Sequence, residues 1–185
     1  MQLVKTFFSF FLDIIETVVV ALCIFVIVYL FFLQPHQVVG NSMIPNFHDK
    51  EYILTDKISY RFREPRRGEV VVFKSPEDKD KDFIKRVIGL PGEKVKITQG
   101  QIYINGAVLK ESYLDPDLRT PPGKFLIENE ELAIPPDAYV VFGDNRYNSS
   151  DSRSWGYMPK VDLIGRALLV YWPPNQARAV PKIMY

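Results

Sequence analysis

Apolar and polar positions divide the chain into one long apolar stretch and a longer region of short apolar runs. Residues Thr17 to Leu33 carry no charge, and with Ile14, Ile15 and the flanks they approach the roughly 20 residues that span a bilayer. Charge exclusion over this length favours a membrane anchor over a buried helix of a soluble domain. A cleaved secretory leader is disfavoured, because only Lys5 precedes the stretch and no A-x-A pattern follows it.

The positive charges beside this stretch predict its orientation. Lys5 and the amino terminus lie on one side, and no Lys or Arg occurs between Leu33 and Lys50 on the other. The positive-inside rule then places the N-terminus in the cytoplasm. We therefore expect residues 1–34 to form a cytoplasmic N-terminus and a single-pass anchor in the cell membrane, and residues 35–185 to form an extracytoplasmic domain.

The region after Gln34 contains seven short runs that are typical of β-strands. They are rich in Val, Ile, Tyr and Phe, and Gly, Pro, Asn and Asp separate them. These runs are 51–58, 69–75, 81–90, 94–98, 101–109, 138–144 and 166–173. Asn105-Gly106 predicts a two-residue hairpin, and the irregular stretch 111–136 predicts a proline-rich loop or small insertion. The fold class is therefore mainly β: a single N-terminal transmembrane helix followed by an antiparallel β-sandwich or partly open barrel.

Composition removes several classes of function. The formal net charge is +1, which gives no electrostatic argument for a nucleic-acid partner. Cys23 is the only cysteine, and His36 and His48 are the only histidines, so no structural zinc pattern can be built. No spacing of carboxylates suggests a magnesium or calcium site. We therefore expect neither a metal ion nor another cofactor.

Ser42 and Lys85 are the first two candidates for chemistry. Ser42 lies in a Gly-Asn-Ser turn close to the apolar stretch, and its hydroxyl becomes a useful nucleophile only when a base takes its proton. On a strand, Lys85 shares a face with Phe83 and Val87. Such apolar neighbours desolvate the amine and lower its pKa, which would allow it to act as a general base. Taken alone, an ordinary turn and a solvated lysine explain both residues as well.

The third candidate is the polar stretch Gly143 to Gly156, which is dense in hydroxyl groups and follows an apolar strand. Asp151 and Arg153 are two residues apart, so they would share a face and could pair if the backbone is extended. A surface loop with an Asx turn has the same composition, and loops that carry function look no different.

Four segments together resemble bacterial type I signal peptidases, the Ser–Lys family that includes the mitochondrial and thylakoid processing peptidases. Gly40 to Pro45 resembles the serine box G-x-S-M-x-P of that family, and Arg67 to Phe73 resembles its R-G-D-[IV]-V-V-F strand. Lys85 to Glu93 resembles the lysine box K-R-V-[IV]-G-L-P-G-D, and Gly143 to Gly156 resembles G-D-N-x-x-N-S-x-D-S-R-x-x-G. The order, the spacing and the preceding apolar stretch also agree, and the resemblance extends to about Val170.

The resemblance implies a role for each matching residue. Ser42 would be the acylating nucleophile and Lys85 the general base, while Ser149 would orient the lysine amine through a hydrogen bond. The backbone N–H of Ser42 would help to hold the oxyanion. The remaining matching residues would be architectural: Asp144, Arg86, Asp151 and Arg153.

The resemblance also implies the partners, which are preprotein signal peptides with small residues before the cut and the lipid bilayer. Substrates of the family dock as an added strand and present small side chains at the two alternate positions of A-x-A. The segments 37–39 and 82–84 are the expected walls, so the pocket residues would be Met43, Val39, Phe83 and Ile84.

Two positions depart from the family pattern. Many members have Thr-Leu where this chain has Asn46-Phe47, and we expect this change to alter how the domain meets the lipid surface. Some members have a second serine two residues before the nucleophile as an oxyanion donor, but this chain has Gly40 there.

Three alternatives remain open at the level of sequence. A Ser-His-Asp hydrolase would use His36 or His48 as its base. An inactive membrane-tethered β-domain would need neither Ser42 nor Lys85 for binding or assembly. A Ser–Lys peptidase dedicated to one client would have the same sequence features as a general one.

Overall fold

The first element of the protein is a long N-terminal helix. The structure is a computed structural model that describes residues 2–183 and 185, without the side chains of residues 2–9 and 30. Helix α1 covers Gln2–Phe31, and its segment Phe10–Tyr29 is long and apolar enough to cross a membrane, with a mean hydropathy of 2.7. None of this segment is buried against the rest of the protein, and its large apolar side chains are exposed.

Strand pairing determines where the apolar helix ends. Helix α1 ends at Phe31, whereas Leu33 is already part of the first strand, where its backbone pairs with Asp56. The last residues of the apolar stretch that the sequence marks, up to Leu33, therefore lie beyond the helix. The side chain of Lys5, on which the expected orientation rests, lies outside the described part of the chain.

Twelve strands follow the helix in the described part of the chain. In chain order they are β1 Leu33–Gln37, β2 Tyr52–Asp56, β3 Val70–Lys74, β4 Asp82–Gly89, β5 Lys94–Thr98, β6 Gln101–Ile104, β7 Ala107–Val108, β8 Glu131–Ala133, β9 Ala138–Phe142, β10 Met158–Pro159, β11 Leu163–Trp172 and β12 Arg178–Ala179. Two short helices, α2 Ser59–Phe62 and α3 Ser152–Trp155, and the 3₁₀ turns Lys160–Asp162 and Pro174–Gln176 connect them.

The strands form two antiparallel sheets. The larger has the order β1-β2-β11-β3-β4-β9-β10, with β12 also paired to β11, and the smaller has the order β7-β6-β5-β8. The path of the larger sheet does not return to its first strand, so the fold is a half-barrel rather than a closed barrel. The predicted fold class, mainly β with one N-terminal apolar helix, is confirmed. The hairpin at Asn105 and Gly106 is also confirmed, with positive φ at both residues.

Two buried clusters hold the strands that carry the site. One lies between the sheets, and its members are Ile88, Val95, Ile97, Ile102, Ile104, Leu126, Ile134, Val140 and Phe142. The other lies beside the end of β1, and its members are Val38, Met43, Phe47, Ile53, Val70, Val72, Ala167 and Val170. The stretch 111–136 is irregular apart from β8, yet Leu126 is fully buried, so this stretch is packed onto the domain.

Strand β4 lies in the interior of the larger sheet, which determines where its lysine can be. In register with β3, Lys85 pairs with Val71, Ile84 with Val72 and Phe83 with Phe73. On its other side β4 pairs with β9. A side chain at this position is therefore surrounded by sheet on both sides.

Candidate active site

Ser42 lies in the loop between β1 and β2, which is held at both ends. Before it, Gly40 has φ +85° and donates its N–H to the carboxylate of Asp49 at 2.8 Å. A positive φ of this size is strained for residues with a Cβ, which explains why glycine occupies this position. After it, Met43 is buried and its carbonyl accepts the N–H groups of Asn46 and Phe47. The serine is thus presented on a loop fixed at both ends.

Lys85 meets Ser42 directly. Its Nζ donates to Ser42 Oγ at 2.8 Å and to the carbonyl of Ile84 at 3.0 Å. The Nζ also lies 5.2 Å from the ring centroid of Phe83, so both side chains are on one face of β4. Serine and lysine are 43 residues apart in sequence, and the strand order β1-β2-β11-β3-β4 of the larger sheet brings the serine loop and β4 together. This is the contact that a hydroxyl nucleophile and its base require.

Burial sets the electrostatics of this contact. Lys85 is only 4 % exposed, and this burial lowers the pKa of its amine from 10.5 to about 8. The negative charges of Asp151 and Asp144 act in the opposite direction, and the positive charge of Arg153 adds to the lowering. Desolvation dominates because removing an ammonium from water costs more free energy than the attraction of the distant carboxylates offsets. A substantial fraction of neutral amine therefore exists near neutral pH.

The stretch 143–156 packs against the loop that carries the serine. The N–H of Asn145 donates to the carbonyl of Ser42 at 3.0 Å, and the Asn145 side-chain amide donates to the carbonyl of Asn41 at 3.0 Å. At Gly143 an added Cβ would overlap the carbonyl oxygen of Ser42 and the hydroxyl of Ser149. Glycine is therefore required here for close approach, and Asn145 is a positioning residue that the sequence analysis missed.

Ser149 does not make the expected hydrogen bond. Its Oγ is buried and has no hydrogen-bond partner among the described residues, while Lys85 Nζ donates to Ser42 and Ile84 instead. An unpaired buried hydroxyl costs free energy unless some state of the protein uses it. The structure thus brings Ser149 close to the serine loop without joining it to the lysine.

Arg86 and Asp144 form a fully buried pair behind the site. Arg86 Nε and Nη2 donate to the two carboxylate oxygens of Asp144 at 2.8 and 2.6 Å, and Nη1 donates to the carbonyl of Gly68 at 2.8 Å. Such two-point pairs are strong and directional. This one joins β4 to the turn that follows β9.

Asn46 and Phe47, which differ from the family pattern, also lie among the buried contacts that support the site. Asn46 donates to Asp144 Oδ2 at 2.9 Å and to the carbonyl of Tyr113 at 3.1 Å, while Phe47 is buried in the cluster that contains Met43. The expectation that this pair changes the lipid-facing surface is wrong, because one residue packs inward and the other holds Asp144.

Asp151 and Arg153 pair, but the backbone between them is not extended. Asp151 caps helix α3 by accepting the N–H of Arg153, and its carboxylate also accepts from Arg153 Nε at 2.8 Å and Nη2 at 2.7 Å. The two side chains do pair, but a helical turn with an Asp cap, and not a continuous extended backbone, brings them together. Asp151 additionally accepts the N–H of Gly143, which ties both ends of the stretch 143–156.

Arg146 is a further structural residue that the sequence analysis missed. It donates to the carboxylate of Glu111 at 2.8 Å and to the hydroxyl of Thr120 at 2.6 Å. Its Nε also donates to the carbonyl of Gly143 at 3.0 Å. These contacts join the irregular stretch 111–136 to the loop beside the serine. Glu111 and Arg146 are 35 residues apart in sequence, and no local pattern indicates that they pair.

A cavity of 260 Å³ opens beside Ser42 and Lys85. The segments 37–39 and 82–84 line its two sides, and Val39 is 81 % exposed at its edge. Met43 does not line it among the described residues; it is 1 % exposed and lies in the cluster with Ile53 and Val72, which do line it. Met43 therefore supports the wall of the cavity from behind.

The histidines do not contact the serine hydroxyl. His36 lines the cavity, but its Nδ1 is 2.9 Å from the hydroxyl of Thr55 and its Nε2 is 3.4 Å from the carboxylate of Asp82. Burial lowers the pKa of His36, although the charge of Asp82 opposes this. His48 is exposed; its N–H donates to the carboxylate of Glu51, and its carbonyl accepts the N–H of Glu51. The described residues contain no group of three or more His, Cys, Asp or Glu side chains that could hold a metal ion.

Comparisons with known proteins identify the family to which the chain belongs. Residues 11–172 match the family model described as signal peptidase, peptidase S26. The chain is 40 % identical to a probable signal peptidase I-2 of Synechocystis sp., over 88 % of this chain and 73 % of that protein. It is 33 % identical to signal peptidase IB of Staphylococcus aureus, over 88 % of this chain and 90 % of that protein. A crystal structure of a signal peptidase I from Enterococcus faecalis is 29 % identical, with a TM-score of 0.47, over 56 % of this chain and 97 % of that chain.

These features define the class of protein first: an enzyme, and within the enzymes a serine peptidase. The chain belongs to the signal peptidase family, peptidase S26. The matched range begins within α1 and ends with β11, so it includes the serine loop, β4 and the stretch 143–156.

Proposed function

We propose that this protein is a membrane-bound serine endopeptidase that removes N-terminal signal peptides from exported preproteins. The observation that carries the proposal is the 2.8 Å contact between Lys85 Nζ and Ser42 Oγ, at a cavity, in a chain of the signal peptidase family. The lowered pKa of Lys85 supports it, because only the neutral amine can accept the serine proton.

The reaction would proceed in two halves. In the first, neutral Lys85 takes the hydroxyl proton while Ser42 Oγ attacks the scissile carbonyl, and the resulting ammonium gives that proton to the leaving amine. The mature protein departs, and the signal peptide remains as an ester on Ser42. In the second half, Lys85 takes a proton from water, the hydroxide attacks the ester, and the proton returns to Ser42 Oγ as the peptide leaves.

Charge on the carbonyl oxygen needs a donor in both halves. The backbone N–H of Ser42 has no partner among the described residues and is available for this role. Gly40 brings no side-chain donor, and its own N–H is bound to Asp49. The side-chain amide of Asn145 donates to the carbonyl of Asn41, which belongs to the same peptide group as the Ser42 N–H, so this contact would hold that N–H in one orientation.

Ser149 would act when the lysine is charged. The neutral amine needs few acceptors, whereas the ammonium has three donors to satisfy. The unpaired, buried hydroxyl of Ser149 is a suitable acceptor for the third. Arg86 with Asp144 and Arg153 with Asp151 would be architectural, because each pair holds the stretch 143–156 in place.

The substrate would bind as an extended strand between the segments 37–39 and 82–84. In such a strand alternate side chains point the same way, so two of them would enter the cavity. Val39, Phe83 and Ile84 would form apolar walls for small side chains, supported by Met43.

The helix α1 would anchor the enzyme in the same bilayer as its substrates, with the β domain on the extracytoplasmic side. Its segment Phe10–Tyr29 is 20 residues long, about 30 Å of helix, which matches a bilayer core. Protease added to intact spheroplasts should digest the β domain and spare the N-terminus. Protection of the β domain would overturn this orientation.

The catalytic proposal is tested by cleavage of a model preprotein in detergent by the full chain and its variants. Ser42→Ala and Lys85→Ala should lose activity while they remain folded. Ser150→Ala is a matched control, because Ser150 also lines the cavity but its hydroxyl binds Glu77. His36→Phe should still cleave, since no His contacts Ser42 Oγ in the described structure.

Two results would contradict the proposed mechanism. Cleavage by Lys85→Ala would exclude the lysine base, and loss of activity in His36→Phe with retained activity in Lys85→Ala would favour a histidine base. A panel of preproteins with different residues before the cut separates a general enzyme from one that is dedicated to a single client.

A further inference from the structure

A second cavity, which shares no lining residue with the one beside Ser42 and Lys85, is lined mainly by positively charged side chains. It measures 440 Å³, and Ser59 at the start of α2 forms part of its wall. Four cations line it, Arg63, Arg66, Arg166 and Lys182, together with the carboxylate of Glu69.

The cations of this cavity are only partly neutralised. Arg63 is paired with Glu69 at 2.6 Å. Arg166 is 3.6 Å from the carboxylates of both Glu69 and Asp56, beyond hydrogen-bond range, and its buried Nε has no partner among the described residues. Arg66 and Lys182 are exposed, and their side chains form no ion pair within the described chain. Four cations thus face two carboxylates, which leaves an excess of positive charge.

The cavity lies beside the exit of the membrane helix. The carbonyl of Phe32, the residue after α1, accepts the N–H of Lys57 at 3.0 Å. One residue earlier along β2, Asp56 pairs with Leu33 on one side and with Arg166 on the other. Strand pairing therefore fixes Arg166 two strands from Leu33, the second residue after the helix.

An exposed aromatic side chain accompanies the charges. Helix α2 follows β2 directly, and its last residue, Phe62, is 85 % exposed. Aromatic residues that accompany basic residues near a membrane span commonly lie at the level of the lipid headgroups.

We propose that this cavity binds the phosphate group of an anionic membrane lipid, with Phe62 inserted among the headgroups beside it. Arginine is suited to this because its planar donors match phosphate oxygens, and Arg166 Nε and the unpaired Arg66 are available to donate. The site would fix the β domain against the bilayer surface. The inference goes beyond the proposed function and rests only on its membrane anchor.

The test measures lipid binding to the full chain in detergent by native mass spectrometry, with short-chain phosphatidylglycerol, phosphatidylcholine and inorganic phosphate as probes. The test variant is Arg66→Gln/Lys182→Gln, which removes two exposed cations. The matched control is Lys110→Gln/Lys124→Gln, which removes two exposed cations outside the cavity. Phosphatidylglycerol should bind wild type and control with equal affinity, and its affinity for the test variant should be lower by about tenfold or more. Phosphatidylcholine should bind none of the three proteins.

Three outcomes would overturn the proposal. Equal phosphatidylglycerol binding by wild type and Arg66→Gln/Lys182→Gln would exclude the cavity. Equal losses in both double variants would show that general surface charge attracts the lipid. Displacement of the lipid by inorganic phosphate at equal concentration would identify a site for a free anion. The readout does not involve cleavage, and carbonate extraction of membranes tests the anchor separately, so failure of each proposal is recognised independently.

Discussion

At the scale of single residues, Lys85 combines a buried position with a group that is charged in water. Because its pKa is about 8, the neutral fraction rises as the pH rises toward that value. We therefore expect kcat/KM for preprotein cleavage to increase about tenfold per pH unit below pH 8 and to level off above it. A pH–rate profile of the full chain in detergent measures this directly.

The control for this profile is Lys81→Arg, since Lys81 is exposed and lies on the same hairpin. It should leave the profile unchanged, whereas Lys85→Arg should be inactive at every pH because a guanidinium does not lose its proton. A profile that keeps rising to about pH 10.4, the ordinary lysine pKa, would contradict a lysine whose amine is desolvated.

The same burial predicts that Lys85 destabilises the fold. Its folded-state pKa lies below the ordinary value of 10.5, so between about pH 8 and 10.5 the unfolded chain binds more protons and the free energy of unfolding rises with pH. Below pH 8 the cost is present in full. Lys85→Met should therefore raise the free energy of unfolding at pH 7 by about 2–3 kcal/mol, and this gain should disappear toward pH 10.5.

Thermal unfolding of the full chain in detergent at pH 7 and pH 10.5 measures this gain. Lys81→Met serves as the comparison, because an exposed lysine should change stability by less than about 0.5 kcal/mol at either pH. If Lys85→Met is less stable than wild type at pH 7, the hydrogen bond to Ser42 outweighs the cost of burying the charge.

At the scale of elements, the active site depends on how the stretch 143–156 is joined to β4 and to the serine loop. Asp144 accepts two hydrogen bonds from Arg86 and one from Asn46, all inside the protein. Asp144→Ala leaves the guanidinium of Arg86 buried without its counter-charge, and we expect it to lower the free energy of unfolding by about 3–5 kcal/mol. Activity should fall as well, since Asn145 next to it holds Ser42.

An exposed ion pair provides the comparison for this variant. Glu131 and Lys94 are 3.0 Å apart and both are well exposed, so Glu131→Ala should cost less than about 1 kcal/mol. Chemical unfolding of both variants in detergent gives the two values. Equal small losses would mean that water reaches Arg86 once Asp144 is removed.

The elements also show what the sequence could and could not predict. All seven predicted runs contain strands, because β-branched and aromatic residues bounded by turn residues report local conformation well. Strand β1 was missed because Pro35 lies within it; proline is tolerated there since β1 is the edge of its sheet. The pairing of Arg146 with Glu111 could not be predicted, because it depends on how distant segments pack and not on local pattern.

The candidate site shows the same division. The motif residues Ser42 and Lys85 could be named from sequence, and the structure places them 2.8 Å apart. Motifs could not predict that the hydroxyl of Ser149 is unpaired or that Met43 lies behind the cavity. Both features depend on how side chains pack after the backbone has folded.

At the scale of the whole molecule, the short connection between helix and sheet would set the height of the proposed active site above the membrane. Helix α1 ends at Phe31 and β1 begins at Leu33, and β1 leads directly to the cavity and to Ser42. The cleavage site of a membrane-inserted preprotein would lie near the same surface. A fixed height would therefore raise the effective concentration of peptidase and substrate for each other.

A flexible 12-residue Gly/Ser linker inserted between Phe31 and Phe32 tests this arrangement, because such a linker has a reach of about 20 Å. In reconstituted vesicles, cleavage of a membrane-inserted preprotein should fall about tenfold, while cleavage of a soluble peptide with the same site should be unchanged. The same linker between the exposed residues Pro116 and Asp117 should affect neither substrate. If the first insertion lowers cleavage of both substrates equally, it has damaged the site itself. If it lowers neither, the height of the domain above the membrane does not limit the encounter, and the anchor serves only to retain the enzyme in the membrane.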